Sequence, residues 1–385
     1  MTQPLWAPPS QMSQKSEEIR RNWLRWAIVK AARLYDWFHR LLARVTGRLG
    51  KPMAPEIYHA VAHDKSVAVK GRVLLSRKWR EPKVSDTKIA NLLQMFRRWA
   101  TPERPFSLVR ISAGGTPVEI RSDRQGYFEI ELPLDQVHAD RILVEMPESN
   151  VSQPARHSIK RPGENSHRMI ISDIDDTVLV THTVKTLRMI ATTIFGNALT
   201  RQLFPGTVEL YRALKRGAST DGSENNPFAY VTSSPFKLHG LLQLIFKENE
   251  LPEGAYFMTD WGIDYDRWFK KSHREHKFES IHQTLDWYPD KSAVLLGDSG
   301  QHDTQIYIDL ALEYPSRIEQ ILIHDITGPE RIGLLQAEVE KLHESGTEID
   351  FYSNAGEAAE ILLKRGWITE AQSQKVASAM EAARE

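Results

Sequence analysis

The chain has 385 residues, 41% hydrophobic and 26% charged, an ordinary globular composition long enough for two domains of common size. Lys plus Arg and Asp plus Glu stand at 50 each, so net charge selects no class of partner. There is no cysteine, which excludes disulfides, thiolate nucleophiles and Cys-ligated zinc.

Residues 1–16 are polar and Pro-rich and are expected to be disordered. They lack the basic region and apolar core of a secretory signal. No window of about 18 residues is free of charge, so no spanning helix is expected. The expected location is cytoplasmic, with the inner face of a membrane as a surface the chain can touch. Residues 17–49 carry Leu24, Ile28, Ala31, Leu34, Phe38, Leu41, Val45 and Leu49 at three- and four-residue steps, which predicts an amphipathic helix. From Arg20 to Lys51 there are nine basic residues and one acidic, Asp36, and Trp23, Trp26 and Trp37 add amphipathic rings. Such a helix either packs on its own domain with a wet basic face or lies in a membrane interface. The first unit is therefore residues 1–55, a disordered start and a basic amphipathic helix.

Residues 56–155 hold short β-rich runs separated by turn signals, which predicts a small β-sandwich. A helical insert interrupts it at "TKIANLLQMFRRWATPE". The polar stretch "SQPARHSIKRPGENSH" (152–167) reads as a linker. From 168 the strand candidates "RMIIS", "FAYVT", "AYFMT", "AVLLG" and "QILIH" alternate with helices, the pattern of a parallel sheet covered on both faces. This α/β unit is taken as 165–355, and a C-terminal helical segment as 356–385.

Ligands of such sheets bind at the carboxyl ends of the strands. There "MIISDIDDTVLV" places Asp173, Asp175 and Asp176 after an apolar run. A helix N-cap with acidic first-turn residues would account for one or two of these, but not for three beside a second acidic edge. That edge is "AVLLGDSGQHD", which delivers Asp298 and Asp303. Carboxylates gathered in a small volume repel unless a cation screens them, and a hard oxygen-ligated Mg2+ is the usual choice beside phosphate. "FAYVTSSP" brings Thr232 and Ser233 to a strand-to-helix turn, either as an anion cradle or as a plain cap. Lys277 in "HKFESIHQTL" either reaches over this edge or is solvated.

In this order, Asp173-Ile-Asp175-Asp176-Thr177, Thr232, Lys277 and Gly297-Asp298 to Asp303 resemble the four motifs of the haloacid dehalogenase superfamily. The wording "DIDDTV", "YVTSSP", "DWG" and "GDSGQHD" resembles more closely its phosphatidate phosphatase catalytic-domain family, which includes fungal actin-patch lipid phosphatases and bacterial relatives. The resemblance covers about residues 165–335. Thr304 stands where that family leads one to expect Pro. The implied fold is a Rossmann-like parallel sheet of the haloacid dehalogenase type with a minimal cap, preceded by the sandwich and the amphipathic helix.

The implied chemistry is Mg2+-dependent hydrolysis of phosphatidate to diacylglycerol and phosphate. Asp173 is the expected nucleophile and forms an aspartyl-phosphate. Asp175 is the acid and base. Thr232 and Ser233 hold the non-bridging oxygens, and Lys277 offsets the charge. The metal is expected on Asp173, the backbone carbonyl of Asp175, Asp298 and Asp303. Asp176 is a helix cap or a supporting group. Met189, Ile190, Ile194, Phe195 and Phe204 are either core or acyl-chain contacts. The expected partners are a phospholipid and, through the N-terminal helix, a membrane surface, with no nucleic acid. Two other readings stay open: the same chemistry on nucleic-acid ends or phosphoproteins, and a non-catalytic membrane-binding scaffold.

Overall fold

The computed structural model describes residues 53–75, 103–149, 154–175, 177–178, 203–259, 273–299, 303–326 and 336–383. The expected basic N-terminal helix, nearly all of the expected helical insert, Asp176, the apolar stretch 184–202 and the Trp-rich stretch 260–272 lie outside the described residues. All described residues belong to one compact unit.

Two antiparallel sheets open the unit. The first is β1 (Met53–Ala62), β2 (Ser66–Leu75) and β5 (Tyr127–Pro133), in the order β1-β2-β5. The second has the order β4-β3-β6-β7, with β3 (Leu108–Ser112), β4 (Val118–Arg121), β6 (Arg141–Glu145) and β7 (Ala155–Ser158). Val67, Val69, Phe128 and Leu132 of one sheet share a core with Val109, Ile111, Ile142 and Val144 of the other. The alternation of buried and open positions in "LVRIS" and "RILVE" is the expected consequence of one face packing inward.

Two strands fall where none was expected. β1 begins at Met53, ahead of the expected start at residue 56, and β7 lies inside the stretch read as a linker. After β7 the chain pairs back onto β1, with Lys160 N–H donating to Ala60 O and Ala62 N–H to Lys160 O, each at 2.8 Å.

The rest is a six-stranded parallel sheet of β8 (Arg168–Ser172), β9 (Phe228–Pro235), β10 (Ala255–Thr259), β11 (Ser292–Asp298), β12 (Ile318–His324) and β13 (Glu348–Tyr352). Five of these match the expected strands, and β13 is an additional one. The spatial order is β10-β9-β8-β11-β12-β13, so counting within the sheet gives 3-2-1-4-5-6, a doubly wound order. The described helices are α1 (Thr207–Arg216), α2 (His239–Glu248), α3 (His273–Trp287), α4 (Asp303–Glu313), α5 (Gln336–Glu344), α6 (Ala355–Lys364) and α7 (Glu370–Ala382). Ile170, Tyr230, Val294 and Leu322 pack on one face of the sheet and Met169, Ile171, Leu295 and Ile321 on the other. Burial on both faces explains why the sequence runs are continuously apolar. The strand order reverses between β8 and β11, the point at which such sheets open a crevice beyond the strand ends.

Candidate active site

β8 and β11 are hydrogen-bonded neighbours, and their registered pairs run from Ser292–Arg168 to Leu296–Ser172. Asp173 N–H continues the ladder by donating to Leu296 O at 2.9 Å. Asp173 and Asp298 therefore leave the sheet side by side at the reversal point. Asp303 joins them from the first turn of α4. Gly297 permits that approach: a Cβ there would stand 2.7 Å from a Tyr307 ring carbon and 3.1 Å from Asp303 Cβ. One carboxylate oxygen from each of Asp173, Asp298 and Asp303 lies within 4.8 Å of the other two, and all three residues are buried.

Lys277, fully buried on α3, meets this group from the side. Its Nζ donates to Asp173 Oδ1 at 2.7 Å and to Asp303 Oδ1 at 2.5 Å. Burial pushes the Asp173 carboxyl well above the usual carboxylate range; Lys277 opposes this, while the charges of Asp303 and Asp175 add to it. Asp303 is held low, because Lys277 and His273 outweigh the effect of its burial. The Lys277 ammonium is pushed up, because the two carboxylates outweigh its burial. Asp173 Oδ2 and Asp303 Oδ2 are buried with no hydrogen-bond partner among the described residues. Three carboxylates around one ammonium leave a surplus of negative charge, and two oxygens without donors are suited to a hard divalent cation.

Asp175 points elsewhere. Its Oδ2 accepts from Thr232 Oγ1 at 2.8 Å and from Ser234 Oγ at 3.3 Å. Thr232 Oγ1 in turn accepts from Ser234 N–H at 3.0 Å. The end of β9 is thus tied to the end of β8 across the crevice. Ser233 hydrogen-bonds through its hydroxyl to His273 Nδ1. All seven expected site residues stand at one edge of the sheet. Asp173, Asp298, Asp303 and Lys277 form one cluster, and Asp175, Thr232 and Ser233 line the adjoining rim.

Residues 168–325 match the family described as Phosphatidate phosphatase APP1, catalytic domain. Over this segment the chain is similar to the APP1 catalytic domain. The match begins with β8 and ends just past β12, so it contains every carboxylate of the cluster. Phosphatidate phosphatase APP1 of Saccharomyces cerevisiae is 30% identical over 154 residues, which is 40% of this chain and 25% of that protein. An uncharacterized protein of Schizosaccharomyces pombe is 29% identical over 159 residues, 41% of this chain and 25% of that protein. The chain spans about a quarter of the length of these curated relatives. Among solved structures, a carbohydrate acetylesterase from Xanthomonas citri aligns with a TM-score of 0.27 at 10% identity, over 77% of this chain and 68% of that one. A likeness that low carries no argument.

Two histidines of this segment were not expected at the site. His273 stands one turn before Lys277, bonded to Ser233, with its Nε2 3.6 Å from Asp303 Oδ1. His276 lies 3.2 Å from Thr232 O through its Nε2, and burial lowers it to about 4, so it is neutral near pH 7. The signal that reveals His273 is its four-residue spacing from Lys277, which puts both on one face of α3.

Proposed function

We propose that the protein is a Mg2+-dependent phosphatase that converts phosphatidate to diacylglycerol and phosphate through an aspartyl-phosphate. The parallel sheet is read with it as the haloacid dehalogenase type with a minimal cap. One observation carries the reading: three buried carboxylates converge at the reversal point of the sheet around a single lysine. The match of residues 168–325 to the APP1 catalytic domain supports the substrate class.

In this reading Asp173 attacks phosphorus in line and the ester P–O bond breaks. Asp175 gives its proton to the departing alkoxide, then takes a proton from the water that cleaves the aspartyl-phosphate. Phosphate leaves and the Asp173 carboxylate returns. The hydrogen bond from Thr232 fixes the orientation of Asp175, and its hydroxyl exchanges that partner for a phosphate oxygen when substrate enters. Ser233 supplies a second contact to the phosphoryl group. Lys277 neutralises Asp173 against Asp303 and keeps the nucleophile oriented. Mg2+ would be held by Asp173, the carbonyl of Asp175, Asp298 and Asp303, and would supply charge neutralisation to the phosphoryl oxygens.

The test is phosphate release from phosphatidate in mixed micelles. Activity is expected with Mg2+, lost with EDTA and recovered on adding Mg2+ back. Asp173→Asn is expected to lower turnover by about 10⁴-fold or more while the thermal melt stays cooperative. Turnover retained by that variant would remove Asp173 as nucleophile.

A further inference from the structure

Behind the tips of β8, β12 and β13 lies a cavity of about 190 Å³. Three connections tie its walls to the acidic cluster. Thr177 lines it and follows Asp173 by four residues. His324 lines it and is the registered partner of Asp298. Tyr211 donates to Ser172 Oγ at 2.6 Å, and that hydroxyl donates to Asp173 O at 2.6 Å. The cavity is thus built on the same sheet edge as the proposed nucleophile.

Its chemistry is mostly apolar and aromatic. The His324 ring stands edge-on to Phe204 at 4.5 Å and stacks on Tyr352 at 5.3 Å. Leu210, Ala355 and Met380 complete the apolar wall. The Asn354 side chain is already engaged, accepting from Glu357 N–H and donating to Glu357 Oε1. Thr177 Oγ1 differs: it is buried with no hydrogen-bond partner among the described residues. A buried hydroxyl of this kind is costly to leave unmatched. The wall therefore offers dispersion contact over most of its area, with the Thr177 hydroxyl as a polar group left to be matched.

We propose that this cavity is the leaving-group subsite: it takes the first carbons of a chain carried by the phosphate ester, and Thr177 meets the ester or hydroxyl oxygen closest to the phosphate. The proposal rests on the phosphatase reading above and adds to it a length limit. An apolar cavity of about 150 Å³ holds a benzene ring, so this one takes roughly six to eight carbons. Each methylene moved from water into such a site is worth about threefold to fourfold in affinity. The rest of a long acyl chain stays outside, where a bilayer or micelle can hold it.

The experiment uses the full chain with Mg2+ and monoalkyl phosphates from methyl to dodecyl, each below its aggregation concentration. kcat/KM is expected to rise about threefold per carbon up to roughly seven carbons and then level off. Ala355→Leu should move the plateau to shorter chains, and Phe204→Ala to longer ones. Binding of octylphosphonate against methylphosphonate, followed by calorimetry, should differ on the order of 10³-fold without any turnover. Hydrolysis that is indifferent to chain length, or a plateau unmoved in two variants that melt like the parent, overturns the subsite and leaves the phosphatase reading standing. No hydrolysis of any ester, together with tighter binding of octylphosphonate, overturns the phosphatase reading instead. No hydrolysis and no preference for the longer phosphonate overturns both.

Discussion

Lys277 carries one positive charge between two buried carboxylates, and its removal tests the electrostatics of the whole cluster. Lys277→Met leaves Asp173 and Asp303 facing each other with no counter-charge, beside Asp298. Breaking a buried pair in this way costs about 3–5 kcal/mol, because the abandoned charges stay desolvated. A cation that enters the carboxylate trio recovers part of that loss. The expected result is a lowered melting temperature that rises on adding Mg2+, and by more than the parent protein rises. A variant whose melt ignores Mg2+ would argue that the carboxylates form no cation site. The carboxylates and Lys277 were legible in the sequence because each follows or faces the end of a strongly apolar strand. His273 was less so, since its one cue, the four-residue spacing from Lys277, is shared by many helical pairs. Its role depends on Ser233 and Asp303 arriving from β9 and α4.

The strand β1 shows why one element escaped sequence reading and what it does. Its last six residues are all buried. Ile57, Ala60 and Ala62 face the sandwich core, whereas Tyr58 and Val61 belong to the cores of the parallel sheet. A strand buried on both faces loses the period-two alternation by which strands are recognised, and Pro55 and His59 blur it further. β7 was hidden for the opposite reason: "ARHS" is short and polar, and reads as connection until its pairing with β6 is seen. β1 also braces the turn that follows β9. Tyr58 stacks on Phe236 at 4.3 Å between ring centres, Tyr127 tilts against the same ring at 5.4 Å, and Glu56 Oε1 lies 3.2 Å from His239 Nδ1. Phe236 directly follows β9, the strand that carries Thr232 and Ser233. Phe236→Ala is expected to cost about 3–5 kcal/mol in urea denaturation. It should also raise KM for a soluble phosphate ester more than it lowers kcat. A stability loss with unchanged KM would show that the aromatic brace supports the fold and not the turn.

Across the whole molecule, stability depends on where charge is kept out, and the proposed attachment to a surface on where it is concentrated. Burial holds His157 and His276 near 4 and pushes His59 well below its ordinary value. A base whose pKa is lower in the fold than in the unfolded chain stays neutral while the unfolded chain takes up the proton. Between about pH 4 and 6.5 the unfolded state binds more protons, so stability falls as pH drops through that window and is fully present above it. At pH 5 His157 and His276 each cost up to about 2 kcal/mol, at 1.36 kcal/mol per unit. Urea midpoints at pH 7 and pH 5 measure the loss, and His157→Gln is expected to reduce it; an identical slope in that variant would assign the acid sensitivity elsewhere. Positive charge is concentrated at the other extreme, in the nine basic residues between Arg20 and Lys51. Among the described residues no helix is long and apolar enough to cross a membrane. If the substrate is the bilayer lipid proposed above, attraction to the surface adds to binding, and each cation near an anionic leaflet contributes about 1 kcal/mol. If only about two or three of the nine reach the leaflet, deleting residues 1–50 weakens binding to phosphatidylserine vesicles by on the order of 10²-fold at low salt, and by less as salt screens the charges. Turnover of a soluble phosphate ester should stay as it was, because every carboxylate of the cluster lies beyond residue 170. Vesicle binding that survives the deletion would transfer the attachment to another surface of the molecule. Soluble-ester turnover that falls with it would make the basic segment part of the catalytic fold.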